Sequence, residues 1–170
     1  MNRLRLAAAV VALGAVVTAP AAAQTRQRDA AHFTNALRDD AKLADTLEGA
    51  AESLAAGHEV VILFDGRSVT ALRVNPNKAN RTPLDDLALR EADRRQWADR
   101  LHLAPRSAPA TYLAVIERLA ALGARVFVNR DAVRLYGLRD AEIHPVAAPI
   151  SSRQMADVLD ATDLCYTYGY

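Results

Sequence analysis

The stretch Glu59-Val60-Val61-Ile62-Leu63-Phe64-Asp65-Gly66 limits the fold more than any other part of the chain. Its apolar residues are consecutive rather than alternating. An extended segment of this kind is apolar on both faces and demands cover on both, as in a parallel sheet held between helices. The flanking sequence supplies such cover. Leu43, Leu47, Ala50, Ala51 and Leu54 recur at helical spacing, with Lys42, Asp45, Glu48 and Glu52 on other faces. Gly57 suits the position just past that helix. Tyr112, Val115, Ile116, Leu119, Ala120 and Leu122 mark a second amphipathic helix that stops at Gly123.

The remaining segments alternate in the same way. A weak strand is expected over 31–37, ending in Arg38-Asp39-Asp40, and a short helix over 68–74. Residues 75–83 (NPNKANRTP) read as a polar, turn-rich loop. Residues 84–101 carry a highly charged helical pattern. A strand over 124–128 leads into a short helix over 132–136, closed by Gly137. A short strand over 143–147 is followed by Pro149. Ser151 or Ser152 caps a helix over 153–160, and 164–168 is the final strand. This order predicts an α/β fold: three layers, αβα, around a mainly parallel five-stranded sheet.

The first residues read differently. Arg3 and Arg5 precede an uncharged apolar run from Leu6 to Val17. Thr18-Ala19-Pro20 breaks the run, and Ala21-Ala22-Ala23 offers small residues before Gln24. That is the pattern of a secretory leader. The run is short for ~30 Å of hydrocarbon, which takes about 20 residues. Residues 1–23 are therefore expected to be a signal peptide and 24–170 a single domain, periplasmic or secreted, with no membrane span after the leader. Without Arg3 and Arg5 the 21 Lys and Arg become 19, against 20 Asp and Glu, so the remainder sits near −1. No basic block is left to suit a nucleic acid.

Cysteine and histidine usage narrows the chemistry. Cys165 is the one cysteine in the sequence. A lone thiol makes no internal disulfide and no thiolate metal cluster. His32, His58, His102 and His144 do not pair at helical spacing, so no helix-borne metal motif is present. Gly66 alone does not make a phosphate loop, and Ser68, Ser107, Ser151 and Ser152 lack a nucleophile-elbow pattern. No cofactor or resident metal is implied.

In open parallel sheets ligands bind beyond the carboxyl ends of the strands. That rule selects Arg38, Asp39 and Asp40 after the first strand, Asp65 and Arg67 after the second, Asn129, Arg130 and Asp131 after the third, and Ser151 and Ser152 after the fourth. Each has a duller role open to it. Asp39, Asp40, Asp131 and Ser151 sit where helices begin and would cap them. Arg67 and Arg130 would pair with nearby aspartates. Asn129 follows an apolar strand directly and adds nothing to a core. A small anion would suit the two arginines. Asp39, Asp65 and Asp131 could instead surround a hard cation in an enzyme. Cys165, between Leu164 and Tyr166, is expected to be an inert core residue, with a reactive carrier thiol as the rival role.

Three stretches resemble DsrE/DsrF-like proteins. HFTNALRDDAKLADTLEGAAESLAAGHEVVILFDGRSVTAL resembles their opening half, YLAVIERLAALGARVFVNRDAVRLYGL their helix-strand-helix centre, and PISSRQMADVLDATDLCYTY their ending. The likeness runs from about His32 to Tyr168. It implies a compact three-layer α/β fold assembled as a homotrimer or hexamer, with relatives in sulfur oxidation and sulfur relay. Those relatives carry a persulfide on a cysteine just after the third strand. That position is Asn129 here, and a second cysteine of some relatives falls at Ala132. An amide cannot carry sulfane sulfur, which needs a thiolate. The resemblance thus implies an exported binding or assembly module, with a protein or small-anion partner. The rivals are a sulfur carrier using Cys165 and the cation-dependent enzyme.

Overall fold

The computed structural model describes residues 29–34 and 41–168, with backbone alone for Phe33 and Thr34. The expected leader and the segment Arg38-Asp39-Asp40 lie outside the described residues. Strands are β1 (Asp29–Thr34), β2 (Glu59–Phe64), β3 (Arg125–Asn129), β4 (Ala148–Ile150) and β5 (Leu164–Tyr168). Helices are α1 (Ala41–Ala55), α2 (Glu91–Arg100), α3 (Tyr112–Ala121), α4 (Arg130–Leu135) and α5 (Ser152–Asp160). The sheet order is β4-β3-β2-β1-β5, and each adjacent pair is parallel. The three-layer α/β architecture is as expected.

β2 lies in the middle of this order, and Val60 to Phe64 are buried. The twofold period of the strand divides them. Val60, Ile62 and Phe64 pack with Leu43, Leu47, Ile116, Leu119, Val126 and Val128 under α1 and α3. Val61 and Leu63 point the other way, where with Ala31 they meet Met155 of α5, joined by Phe127, Val158 and Leu159. The handedness of βαβ crossovers explains this division. From β1 to β4 the chain advances in one direction across the sheet, which puts α1, α3 and α4 on one face. From β4 it returns past β1 to form β5, which puts α5 on the opposite face.

Local chemistry sets the helix ends. Gly57 has φ +80°, a left-handed conformation that glycine adopts without steric cost. Its N–H donates to the Leu54 carbonyl at 2.9 Å, and the His58 N–H donates to that of Ser53 at 3.0 Å. These two bonds complete a Schellman end for α1. Thr111 begins α3, its side chain accepting from the Ala114 N–H. Arg100 joins α2 to α1 by pairing with Glu48 at 3.2 Å and with Glu52, while lying 5.6 Å from the Trp97 ring centroid.

Three expectations are corrected. The helix expected over 84–101 begins at Glu91. The Leu89 N–H donates instead to the Ala110 carbonyl at 2.9 Å, and Ala88 bridges Thr111. Turns over 83–85 and these ties at residues 88 and 89 keep the backbone before α2 out of the helix, and Leu84 and Leu89 are buried as anchors. The strand expected over 143–147 lies at Ala148–Ile150 and contains Pro149. Proline is tolerated there because β4 is an edge strand, where one side needs no donor. Cys165 is exposed rather than a core residue. It lies on β5 at the other edge, with exposed Tyr166 and Thr167 beside it.

A buried histidine links β1, α1 and β5. His32 is 1% exposed, and its Nε2 lies 2.9 Å from the Ser53 hydroxyl. Its ring stacks on Tyr166 at 4.9 Å and lies 6.2 Å from Tyr168. Nδ1 has no hydrogen-bond partner among the described residues. Burial pushes the His32 pKa from the ordinary 6.5 down to about 4. The unfolded chain therefore binds the extra proton first as pH falls. The stability owed to the neutral ring is fully present above about pH 6.5 and is lost as pH falls through about 4. Urea denaturation across that window should show a loss on the order of 2 kcal/mol. His32→Gln should flatten the slope; an unchanged slope would remove the assignment.

Gly49 of α1 faces the same cluster. A methyl group there would collide with Tyr168 Oη and lie 3.2 Å from His32 Cε1 and Nδ1. Alanine gains about 1 kcal/mol in helix propensity, while overpacking costs about 1–3 kcal/mol. Because the His32 ring is fully enclosed, Gly49→Ala should lower stability by about 1 kcal/mol net in thermal melts.

Candidate functional site

The crevice of an open parallel sheet lies where neighbouring strands send their following helices to opposite faces. Here those strands are β3 and β4. α4 leaves β3 toward the α1 face, and its Ala132 and Val133 join that core. α5 leaves β4 toward the other face, where its Met155 is buried. The crevice thus lies between Asn129, the last residue of β3, and Ser151-Ser152 after β4. Asn129 pairs with Ile150 in the β3–β4 register.

The expected polar trio is present at this place, and its side chains bond to one another and to neighbouring backbone. Asn129 is buried and caps α4. Its Oδ1 accepts from the Asp131 N–H at 2.9 Å, the Ala132 N–H at 3.4 Å and the Ser152 hydroxyl at 3.2 Å. The Asp131 carboxylate accepts from the Ser152 hydroxyl at 2.6 Å and the Ser152 N–H at 3.1 Å. These donors hold the Asp131 pKa below the ordinary carboxylate value, the hydroxyl bond being the largest cause. Arg130 donates through Nε to Asp140 at 2.8 Å and through Nη2 to the Pro149 carbonyl at 2.7 Å. Ser151 begins α5 in a capping box. Its hydroxyl accepts from the Gln154 N–H at 3.2 Å, and its own N–H donates to Gln154 Oε1 at 2.9 Å.

The crevice is therefore a polar seam that binds the starts of α4 and α5 together across the sheet edge. Ser152 is the residue that completes it. The sequence holds a signal for this: Gln154 lies three positions after Ser151, which assigns Ser151 to its own helix and leaves Ser152 to face β3. Asp140, the partner of Arg130, had no comparable signal.

The other candidates are not drawn into the seam. Asp65 precedes a 3₁₀ segment, Gly66–Leu72, without a side-chain cap bond; its carbonyl accepts from the Ser68 hydroxyl at 2.7 Å. Arg67 is exposed, and neither Asp65 nor Arg67 forms an ion pair among the described residues. Asp39 lies outside the described residues. Among the described residues no group of three or more His, Cys, Asp or Glu is placed to hold a metal ion. Cys165 is on β5, opposite Ala31 in register, and β5 and β3 are separated by β1 and β2. The exposed thiol and Asn129 thus belong to different parts of the sheet.

No protein-family model matches the chain. No curated protein matches it either. Among solved structures, the crystal structure of the YchN protein from E. coli superimposes with a TM-score of 0.54. That match covers 83% of this chain and 98% of YchN at 13% sequence identity. A likeness at this identity concerns the fold, which is DsrE-like.

If the trio is a seam, its loss is a loss of stability. Asn129→Ala removes a helix cap and leaves the Ser152 hydroxyl one acceptor fewer, so urea denaturation should show a decrease of about 1–2 kcal/mol. A variant as stable as the parent would contradict the capping assignment. The seam should also weaken in acid. Asp131 has a depressed folded pKa, so its contribution is present above the ordinary carboxylate pKa and lost as pH falls through the folded value.

Proposed function

We propose that the chain is an exported DsrE-like protein that works by binding or assembly rather than by carrying sulfur at the position its resemblance singles out. One observation carries this reading: the residue at that position is a buried amide whose oxygen already serves two backbone N–H groups and one hydroxyl. It offers no nucleophile, and capping occupies its acceptor. The reading includes a homo-oligomer, a trimer or hexamer, with a role in sulfur metabolism alongside thiol-bearing relatives. That part rests on the resemblance of the three sequence stretches. The match to YchN supports the fold on which it builds.

A second reading has its own support. Cys165 is exposed on β5, and an accessible thiol can take up and release sulfane sulfur where a buried one cannot. The two readings separate in one experiment. The folded protein is incubated with inorganic polysulfide, freed of excess, and analysed by intact mass before and after exposure to an acceptor thiol. The expected result is no transferable sulfur beyond that of Cys165→Ser. Sulfur retained on the parent protein and passed to the acceptor, but absent in Cys165→Ser, would favour the carrier. Light scattering after size exclusion should show a trimer or hexamer; a monomer at all concentrations would remove the assembly component.

A further inference from the structure

The polar loop after the Gly66–Leu72 segment has an organised conformation, with Asn75 at its centre. Asn75 Oδ1 accepts from the Asn77 N–H at 3.0 Å. Its carbonyl accepts from the Lys78 N–H at 2.9 Å and the Asn80 N–H at 3.0 Å, and its own N–H donates to the Arg81 carbonyl at 2.9 Å. Two antiparallel bridges hold the ends, Asn75 with Arg81 and Arg73 with Ile143. Ala79 and Asn80 both adopt left-handed backbone, at φ 51° and 59°. Alanine seldom does so, and here the surrounding bonds impose it. Where the loop ends, the Thr82 N–H and hydroxyl both donate to Asp85 Oδ2, at 2.7 and 3.0 Å.

The loop and its flanks enclose a cleft of about 450 Å³ whose lining includes Arg73, Asn77, Lys78, Arg81, Thr82 and Asp86. The charge in this lining is unbalanced, with three cations and one carboxylate. Asp86 is divided between two of them. Its Oδ1 is 3.1 Å from Arg81 Nη2, which also donates to the Asp85 carbonyl at 2.9 Å, and its Oδ2 is 3.6 Å from Lys78 Nζ. Arg73 reaches Glu142 at 3.5 Å. The three cationic side chains are 53–62% exposed, so these pairs are weak and readily exchanged. One carboxylate cannot neutralise two cations, and guanidinium forks match tetrahedral oxyanions.

We propose that this cleft binds a small, multiply charged oxyanion of the phosphate or sulfate class, held by Arg73, Lys78 and Arg81. The site differs from the strand rim, where Arg130 donates to Asp140 and to the Pro149 carbonyl, in bringing three cations around a single lining carboxylate. It also stands independently of what Asn129 does.

The test titrates inorganic phosphate, sulfate and a simple phosphomonoester into the folded chain, with sodium chloride at matched ionic strength as the control. Calorimetry and backbone amide shifts are followed. Saturable binding is expected, with the largest shifts in residues 73–86. Lys78→Gln and Arg73→Gln, both altering exposed side chains, should each weaken it about tenfold. Asp86→Asn should tighten it by removing the competing carboxylate. A change of sign between Lys78→Gln and Asp86→Asn is something loop disruption alone would not produce. Binding of phosphate and sulfate without the ester identifies a free inorganic ion; tighter binding of the ester identifies a larger ligand bearing the group. A response no greater than that to chloride, or the same direction of change in both variants, overturns the proposal.

Discussion

The double-sided burial of β2 is the constraint from which the remaining architecture follows. Val60 to Phe64 have no wet face, and their backbone groups can be satisfied in the sheet only by strands on both sides. β1 and β3 supply those bonds in parallel register. Parallel neighbours need long crossovers, and the crossovers are the helices that cover the two faces. All the strands then end at one rim, so the polar residues that follow them are gathered there by topology. No ligand is required to explain why they are neighbours.

At that rim two physical demands compete for the same side chains. A helix start leaves backbone N–H groups without partners, and a polar side chain just before it is well placed to accept from them. A ligand would need the same oxygen atoms. Between β3 and β4 the helix starts have taken them: Asn129 serves α4, Ser151 serves α5, and Asp131 with Ser152 joins the two. The charged groups around the 75–83 loop are under no such demand. They sit on a frame held mainly by backbone bonds, and their mutual pairing is exposed.

Much of the fold was legible in the sequence because burial leaves a periodic trace. The consecutive apolar run of β2, the helical spacing of α1 and α3 and the glycines past their ends all lie where expected, and β5 matches residue for residue. The errors arose where non-local bonding decides the outcome. Pro149 looked like a strand terminator, yet it lies inside β4, because only the strand order reveals that β4 is an edge. The charged pattern after residue 84 looks helical, yet turns over 83–85 and the bonds of Ala88 and Leu89 to Thr111 and Ala110 keep its first part out of the helix. Cys165 looked like a core residue from its neighbours in sequence, and its position at the sheet margin leaves it exposed. At the site, Asn129, Arg130, Asp131 and Ser152 follow strand ends and are marked by position alone, but which of them bond to one another, and that Arg130 pairs with Asp140, depends on segments distant in sequence.

The two margins of the sheet are not equivalent. β4 is three residues long and carries a proline, so another strand would find few donors along it. β5 is five residues long, without proline or charge, and its outer side has no strand partner among the described residues. Sheet extension from one molecule to another would therefore have a single usable terminus. Two copies joined through it would leave only blunt ends facing outward, so growth of that kind halts at a pair instead of propagating into a fibre.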